Sequence, residues 1–286
     1  MQNKLKMIFI GGGNMATALI GGLLPDLTTP ANVHVIDTHQ ASLDKLSARF
    51  GVTTGLSLEA GRAIGAIGDA SELIEQTDVI ILSVKPQQLR EVAAALAPHL
   101  SGQLVLSIAA GIRSSDLARW LNDYPKIVRS MPNTPALIGK GITGLFATAG
   151  VSDEQKQAAE DIMSAVGSTI WLDQEPLIDA VTAMSGSGPA YVFYFIEAMQ
   201  QAGVDLGLTS VQATQLAIST FEGAALLALN SDEPVSVLRE RVTSKGGTTY
   251  AALSSMENSG VKAAIIDAVK AAAARGKELG DELGAE

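Results

Sequence analysis

The chain contains no cysteine, so disulfides and thiolate metal sites are excluded. Its three histidines, His34, His39 and His99, lack metal-ligand spacing, and no metal site is expected. Positive charge is scarce as well: 20 Lys and Arg against 30 Asp and Glu leave a formal net charge of -10. That balance speaks against nucleic acid and against an anionic membrane surface as partners. No run of residues free of polar side chains is long enough to span a bilayer. The N-terminal MQNKLKMIFIGGG offers only four apolar residues before the first glycine, too few for a signal peptide. A cytoplasmic protein is the expectation.

What the chain does have is apolar surface in plenty, 47% of its 286 residues, enough for one large or two modest cores. MIFI (7–10), VHVID (33–37), VIILSV (79–84), LVLSIA (104–109) and KIVRSM (126–131) are Val- and Ile-rich and read as strands. Helical stretches such as ASLDKLSARF and QQLREVAAALAPHL lie between them. Strand and helix in alternation predict βαβ units and a parallel sheet. ITGLFATA (142–149) and TIWL (169–172) extend that sheet, with a helix at 152–166 between them. GLSLEAGRAIGAIG (55–68) reads as an extended loop with a weak helix. After Trp171 no strand pattern remains, only Ala-, Leu- and Gln-rich helices. The expected division is an α/β Rossmann-type dinucleotide-binding domain, residues 1–172, followed by an all-α domain, residues 173–286.

Gly11, Gly13 and Ala16 form a G-x-G-x-x-A pattern at the turn from the first strand into a helix. Gly11 permits the tight turn, Gly13 lets the backbone approach a pyrophosphate, and Ala16 allows close helix packing. The helix N-terminus, with Asn14 and Met15 in its first turn, then offers N–H groups to the negative charge. Asp37 ends the second strand, where an acid accepts the ribose 2′-OH of NAD and repels the 2′-phosphate of NADP. It is equally placed to cap the next helix, and Thr38, His39 and Gln40 remain available to a 2′-phosphate. NADH and NADPH both stay open. Ser83, Lys85 and Pro86 leave the third parallel strand, and Ala109 and Ala110 leave the next. Ligands of open α/β sheets lie beyond the carboxyl ends of the strands, so both loops should border the nicotinamide. In MPNTPA, Asn133 is bracketed by prolines and forms either a rigid loop or a polar clamp at that end.

TAMSGSGPAYVFYFIEAM (182–199) is a small-residue turn followed by a helix that Pro189 can start without missing an N–H. Residues 191–196 leave that helix apolar all round, which predicts burial. Further on, VTSKGGTTYAALSSME places two glycines among hydroxyls with no carboxylate beside them.

IGGGNMATALIGG, SVKPQQ, SIAAG, MPNTPA, SGSGPAYVFYFIEAM and VTSKGGTT occur in the order and spacing of pyrroline-5-carboxylate reductases, which the chain resembles from about residue 7 to 280. Lys245 stands where that family usually has proline. The resemblance implies NADPH or NADH as hydride donor to a cyclic imine. It also implies an all-helical dimerisation domain that interleaves with its partner in a homodimer, sometimes built into larger rings. Ser244, Gly246, Gly247, Thr248 and Thr249 would hold the carboxylate of pyrroline-5-carboxylate, and Thr249 would hydrogen-bond the ring nitrogen. Two other expectations compete. A β-hydroxyacid dehydrogenase needs a general base, usually a lysine in the helix joining the domains, yet residues 174–244 contain neither Lys nor His. A non-catalytic NAD(P)-binding protein would carry the 244–249 turn without using it.

Overall fold

The computed structural model describes residues 5–24, 26–56 and 70–285. Contacts divide the chain into two compact units, one of Met1–Ser187 with Ala272–Glu286 and one of Gly188–Ala271. The cut expected at 172/173 therefore lies upstream of a short helix and a turn that pack with the sheet.

The first unit is built on an eight-stranded sheet in the order β3-β2-β1-β4-β5-β6-β7-β8. The strands are β1 Met7–Ile10, β2 Val33–Asp37, β3 Thr53–Leu56, β4 Val79–Leu82, β5 Leu104–Ser107, β6 Ile127–Met131, β7 Gly141–Ala147 and β8 Gly167–Trp171. β1, β4 and β5 are buried at every position, as strands covered on both faces must be. Met7 and Phe9 join the core under α1 (Asn14–Leu23), α2 (Gln40–Phe50) and α6 (Asp153–Ser164). Ile8 and Ile10 join the opposite core under α4 (Pro86–Leu96) and α5 (Ser114–Trp120). The two-residue period of the strand thus feeds both layers.

The sheet is not wholly parallel as expected. β7 runs antiparallel to β6, with Val128 opposite Ala147 and Met131 opposite Gly144. Only residues 132–140, largely one 3-10 turn (Thr134–Ile138), connect the two strands, and a parallel crossover needs a dozen residues or more. α6 supplies such a crossover, so β8 is parallel to β7. A second difference is β3, which takes Gly55 and Leu56 out of the expected loop and pairs them with Ile36 and Asp37. TTGL holds a glycine and only two β-branched residues, so pairing along β2 rather than propensity makes it a strand. Residues 57–68 of that loop lie outside the described residues. A six-residue helix, α3 Ala70–Glu75, follows them.

α7 (Leu177–Val181) and the π-helical turn Thr182–Gly186 close this part of the chain. Arg129, 3% exposed on β6, pairs with Glu175 at 3.1 Å and Asp179 at 3.7 Å. Glu175 in turn accepts hydrogen bonds from the Ser114 N–H and hydroxyl at the start of α5. The end of α12 (Val261–Gly284) also belongs to this unit. Gly276, Gly280 and Gly284 are its buried positions, and a side chain at Gly284 would collide with the Asp116 carboxylate. Arg113 bonds Asp281, and Arg119 donates to the Gly284 carbonyl at 2.6 Å.

The second unit comprises α8 (Gly188–Asp205), α9 (Ser210–Leu229), α10 (Val235–Arg241), α11 (Thr248–Asn258) and the first half of α12. α8 packs on α9 through Phe195 and Phe221, ring centroids 6.5 Å apart, and through a Gln200–Thr214 hydrogen bond. The burial expected of α8 does not occur within one chain: Phe193 is 61% and Tyr194 73% exposed. The only buried hydrophobic residues of this unit are Ala213 and Ala217. Most of its apolar surface is left uncovered by the unit's own packing. No helix among the described residues is long and apolar enough to cross a membrane.

Candidate active site

β1 ends in a glycine turn shaped by one position above the others. Gly11 has φ +103, and a Cβ there would lie 2.6 Å from the Ser83 carbonyl oxygen, so only glycine lets β1 and β4 close together. The Ser83 hydroxyl, 2.7 Å from the Gly11 carbonyl and 3.0 Å from that of Ile10, fastens the same closure. Gly13 is different. It caps α1 in extended geometry, no described side chain caps the helix, and a Cβ built on it meets nothing within 4 Å. Gly13 and Asn14 are exposed, Met15 is half-buried and Ala16 is fully buried against the sheet. This leaves a helix N-terminus with free N–H groups facing open space, which fits a pyrophosphate.

A cleft of about 190 Å3 opens beside the turn, lined by Gly11, Gly13, Asp37, His39, Ser83 and Lys85 among others. Val84 and Gln88 line it too; both lie in SVKPQQ without being expected as site residues, although Gln88 follows Lys85 by about one helical turn. Asp37 accepts from the Gly12 N–H at 2.6 Å and the His39 N–H at 2.8 Å, with the His39 ring 3.1 Å away. Burial works against its charge, but these hydrogen bonds outweigh burial and hold the carboxyl below the usual aspartate range. Asp37 is therefore ionised at neutral pH, at the end of β2 where the ribose of a dinucleotide belongs. It braces the glycine turn rather than capping α2, whose N-cap is His39. Lys85 is the N-cap of α4, exposed, with Pro86 starting the helix. Its ammonium forms no ion pair among the described residues.

Asp37→Ser keeps an oxygen for the Gly12 N–H and removes the negative charge. Relative affinity should then shift toward NADPH by roughly tenfold, the scale of one partly screened like-charge contact. Fluorescence titration with both reduced cofactors measures it, and an unchanged NADPH/NADH ratio would reduce Asp37 to a brace for the turn.

Ala109, 4% exposed, and Ala110, half-buried, leave the carboxyl end of β5. Gly111 follows at φ +76, pressed against Leu279 of α12. Asn133 leaves β6 at the same edge of the sheet, but its side chain faces inward. Its Oδ1 accepts from the Ile142 N–H at 3.0 Å and its Nδ2 donates to the Ser185 carbonyl at 3.1 Å. Each polar atom of that amide makes one bond within the protein, which fixes its orientation and leaves one N–H and one lone pair for a further partner.

The 244–249 turn lies in the second unit. Gly246 takes φ +75, the Gly247 N–H closes a turn onto the Ser244 carbonyl at 3.0 Å, and Gly247 caps α11. No described side chain caps this helix, and its first turn holds no acid. The hydroxyls of Ser244, Thr248 and Thr249 make no hydrogen bonds among the described residues, with Ser244 and Thr248 exposed and Thr249 half-buried. They are not spent on capping. Free N–H groups and free hydroxyls without a neighbouring carboxylate suit a small anion.

Comparison with known proteins separates this fold from other dinucleotide-binding ones. Residues 175–279 match the family model described as pyrroline-5-carboxylate reductase dimerisation. Residues 6–111 match that of an NADP oxidoreductase, coenzyme F420-dependent. Over 280 residues, 98% of both chains, the sequence is 44% identical to a pyrroline-5-carboxylate reductase of Pseudomonas aeruginosa. The chain belongs to the pyrroline-5-carboxylate reductase family. Among solved structures, the pyrroline-5-carboxylate reductase from Coxiella burnetii superimposes with a TM-score of 0.86 at 39% identity, covering 97% of this chain and 99% of that one. The Plasmodium falciparum pyrroline carboxylate reductase with NADP bound gives 0.82 at 30% identity, over 98% and 99%. A prephenate dehydrogenase from Aquifex aeolicus, at 16% identity and a TM-score of 0.52, shares the fold alone.

Family membership makes the helical half, beyond its packing role, a dimerisation domain. Two features go beyond what the motifs announced: the π-helical geometry of the turn 182–186 and the Arg129–Glu175–Ser114 linkage. A reductase sequence hides the latter because its three members are far apart in the chain and none lies in a recurrent pattern.

Proposed function

We propose that the chain reduces 1-pyrroline-5-carboxylate to proline with NADPH or NADH. The observation that carries this is the 44% identity spanning 98% of the chain, which takes in both the glycine turn at 11–16 and the uncapped glycine–hydroxyl turn at 244–249. Bound at the glycine turn, a nicotinamide cofactor supplies the hydride. Gly11, Gly13, Asn14, Met15 and Ala16 present the start of α1 to its pyrophosphate, and Asp37 faces its ribose. Ser83 fixes the turn, while Lys85 and Pro86 with Ala109 and Ala110 form the loops at the carboxyl edge of the sheet.

Ser244, Gly246, Gly247 and Thr248 hold the substrate carboxylate through N–H groups and hydroxyls. The imine nitrogen of this substrate protonates in water, so it can arrive as an iminium. Hydride addition to C5 then yields proline with no proton required from the protein. That removes the need for the acid which the 244–249 turn lacks, and orientation becomes the main contribution. Thr249 hydrogen-bonds the ring nitrogen. Loss of the near-ultraviolet absorbance of each reduced cofactor, with and without pyrroline-5-carboxylate, tests the reading; cofactor that is bound but never consumed would leave a non-catalytic binding protein.

Thr249→Ala should cost about 1.5–3 kcal/mol in kcat/KM, the worth of one hydrogen bond to a charged group. Cofactor affinity should barely change. Steady-state kinetics beside a cofactor titration separates the two quantities, and wild-type kcat/KM would pass the ring-nitrogen role to Ser244 or water.

A further inference from the structure

The π-helical turn Thr182–Gly186 ends two residues before Gly188 and Pro189 open α8. Pro189, in the first turn of α8, has no N–H, so the Ser185 carbonyl cannot receive the regular helical hydrogen bond from four residues on. The turn itself is held by wide bonding, the Ser187 N–H reaching the Thr182 carbonyl at 2.8 Å. The Ser185 carbonyl itself is supplied from elsewhere in the fold, by the Asn133 amide at 3.1 Å. One residue before Pro132, Met131 reaches the same turn. Its terminal methyl sits 2.7 Å from where a Cβ on Gly186 would be. The two residues flanking Pro132 therefore clamp the turn, one by a hydrogen bond and one by contact with a bare glycine.

Asn133 also anchors its own loop. Its Oδ1 accepts from Ile142 at the start of β7, and the residue is 9% exposed. The two bonds run in opposite senses through one planar amide, so no other side chain of similar size can make both without rearrangement. Through the clamped turn the chain leaves the sheet unit for the dimerisation domain that carries residues 244–249.

We propose that Asn133 is a positioning residue for the reduction: its amide stands in for the N–H that Pro189 lacks and fixes the turn through which the chain enters α8. This rests on the reductase function proposed above. It departs from the cofactor contact expected of Asn133, and the two roles predict different kinetics. A positioning residue changes turnover while leaving cofactor affinity intact.

Two variants test it in the full-length dimer. Asn133→Ala removes both bonds. Asn133→Asp keeps the acceptor for Ile142 and places a carboxylate against the Ser185 carbonyl, which provides a second variant with one of the two bonds intact, its folding checked by a thermal melt. Both should lower kcat for pyrroline-5-carboxylate by roughly tenfold to a hundredfold, the scale of a misplaced reacting group, with the NADPH Kd unchanged. On acidification the Asn133→Asp defect, measured against wild type at each pH, should shrink, because a protonated carboxyl can donate to Ser185 again. The Asn133→Ala defect should stay flat with pH. Amide exchange at Ser187 should quicken in both. Wild-type kcat, or a Kd for NADPH weakened by the same factor as kcat/KM, would overturn the proposal. If the wild type consumed no cofactor with this substrate, the reductase function would fail on its own. The exchange rate at Ser187 would still decide the role of Asn133, unaltered exchange counting against it.

Discussion

Gly13→Val should abolish measurable NADPH and NADH binding in a protein that still folds. The backbone at Gly13 is extended, at φ -75 and ψ -169, a conformation open to valine. Its Cβ would meet no atom within 4 Å in the protein itself, so the cores on either side of β1 are untouched. The cost to folding is confined to a weaker N-cap, about 1 kcal/mol or less. The space filled by the isopropyl group is the space in front of the α1 N–H groups. An anion displaced from them loses several charge-assisted hydrogen bonds, each about 1.5–3 kcal/mol, and two are enough for more than about a hundredfold in Kd. Gly11 and Gly12 would be poor choices for this experiment. A Cβ at Gly11 strikes the Ser83 carbonyl and one at Gly12 lies 2.9 Å from Leu46, so either change damages the fold as well as the site. Cofactor titration beside a thermal melt reads the result. Normal affinity in a folded Gly13→Val protein would move the pyrophosphate away from this turn.

Asp37 shows where sequence pattern stops. Its place at the end of β2 was legible from spacing alone, as were the glycine turn and the loops leaving β4 and β5. Its bond to the Gly12 N–H was not, because that contact depends on how far the turn folds back toward β2. The same limit applies to Asn133, whose prolines mark a loop while its amide partners lie 9 and 52 residues away. Strand direction failed at β7 for a related reason. Val, Ile and Phe mark a strand whichever way it runs, and only the length of the preceding connection decides between parallel and antiparallel. For α8 the pattern was correct about apolarity and misleading about location. A helix apolar all round must be covered, yet nothing in its periodicity says whether its own chain or another does the covering.

In sedimentation at low micromolar concentration the protein should run at no less than about twice its 29.6 kDa chain mass, with no active monomer at any dilution. Most exposed large hydrophobic side chains among the described residues belong to the second unit, including Phe193, Tyr194, Leu206, Leu227 and Leu229. Against them that unit buries only Ala213 and Ala217. Ordering a residue costs about 1–2 kcal/mol of backbone entropy, while each square ångström of apolar surface returns about 25 cal/mol only once it is covered. Two alanines offset little of the ordering of five helical segments, and in a dimerisation domain a second copy is expected to complete the fold. The interface then belongs to the obligate class, roughly 2,000 Å2 or more. Dissociation and loss of helix become one transition, and the denaturation midpoint should rise with protein concentration. Helix content by circular dichroism and turnover should fall together on dilution below the dimer Kd. A stable monomer that kept its helices and its activity would show that Gly188–Ala271 stands alone, and the interleaved dimer would have to be abandoned.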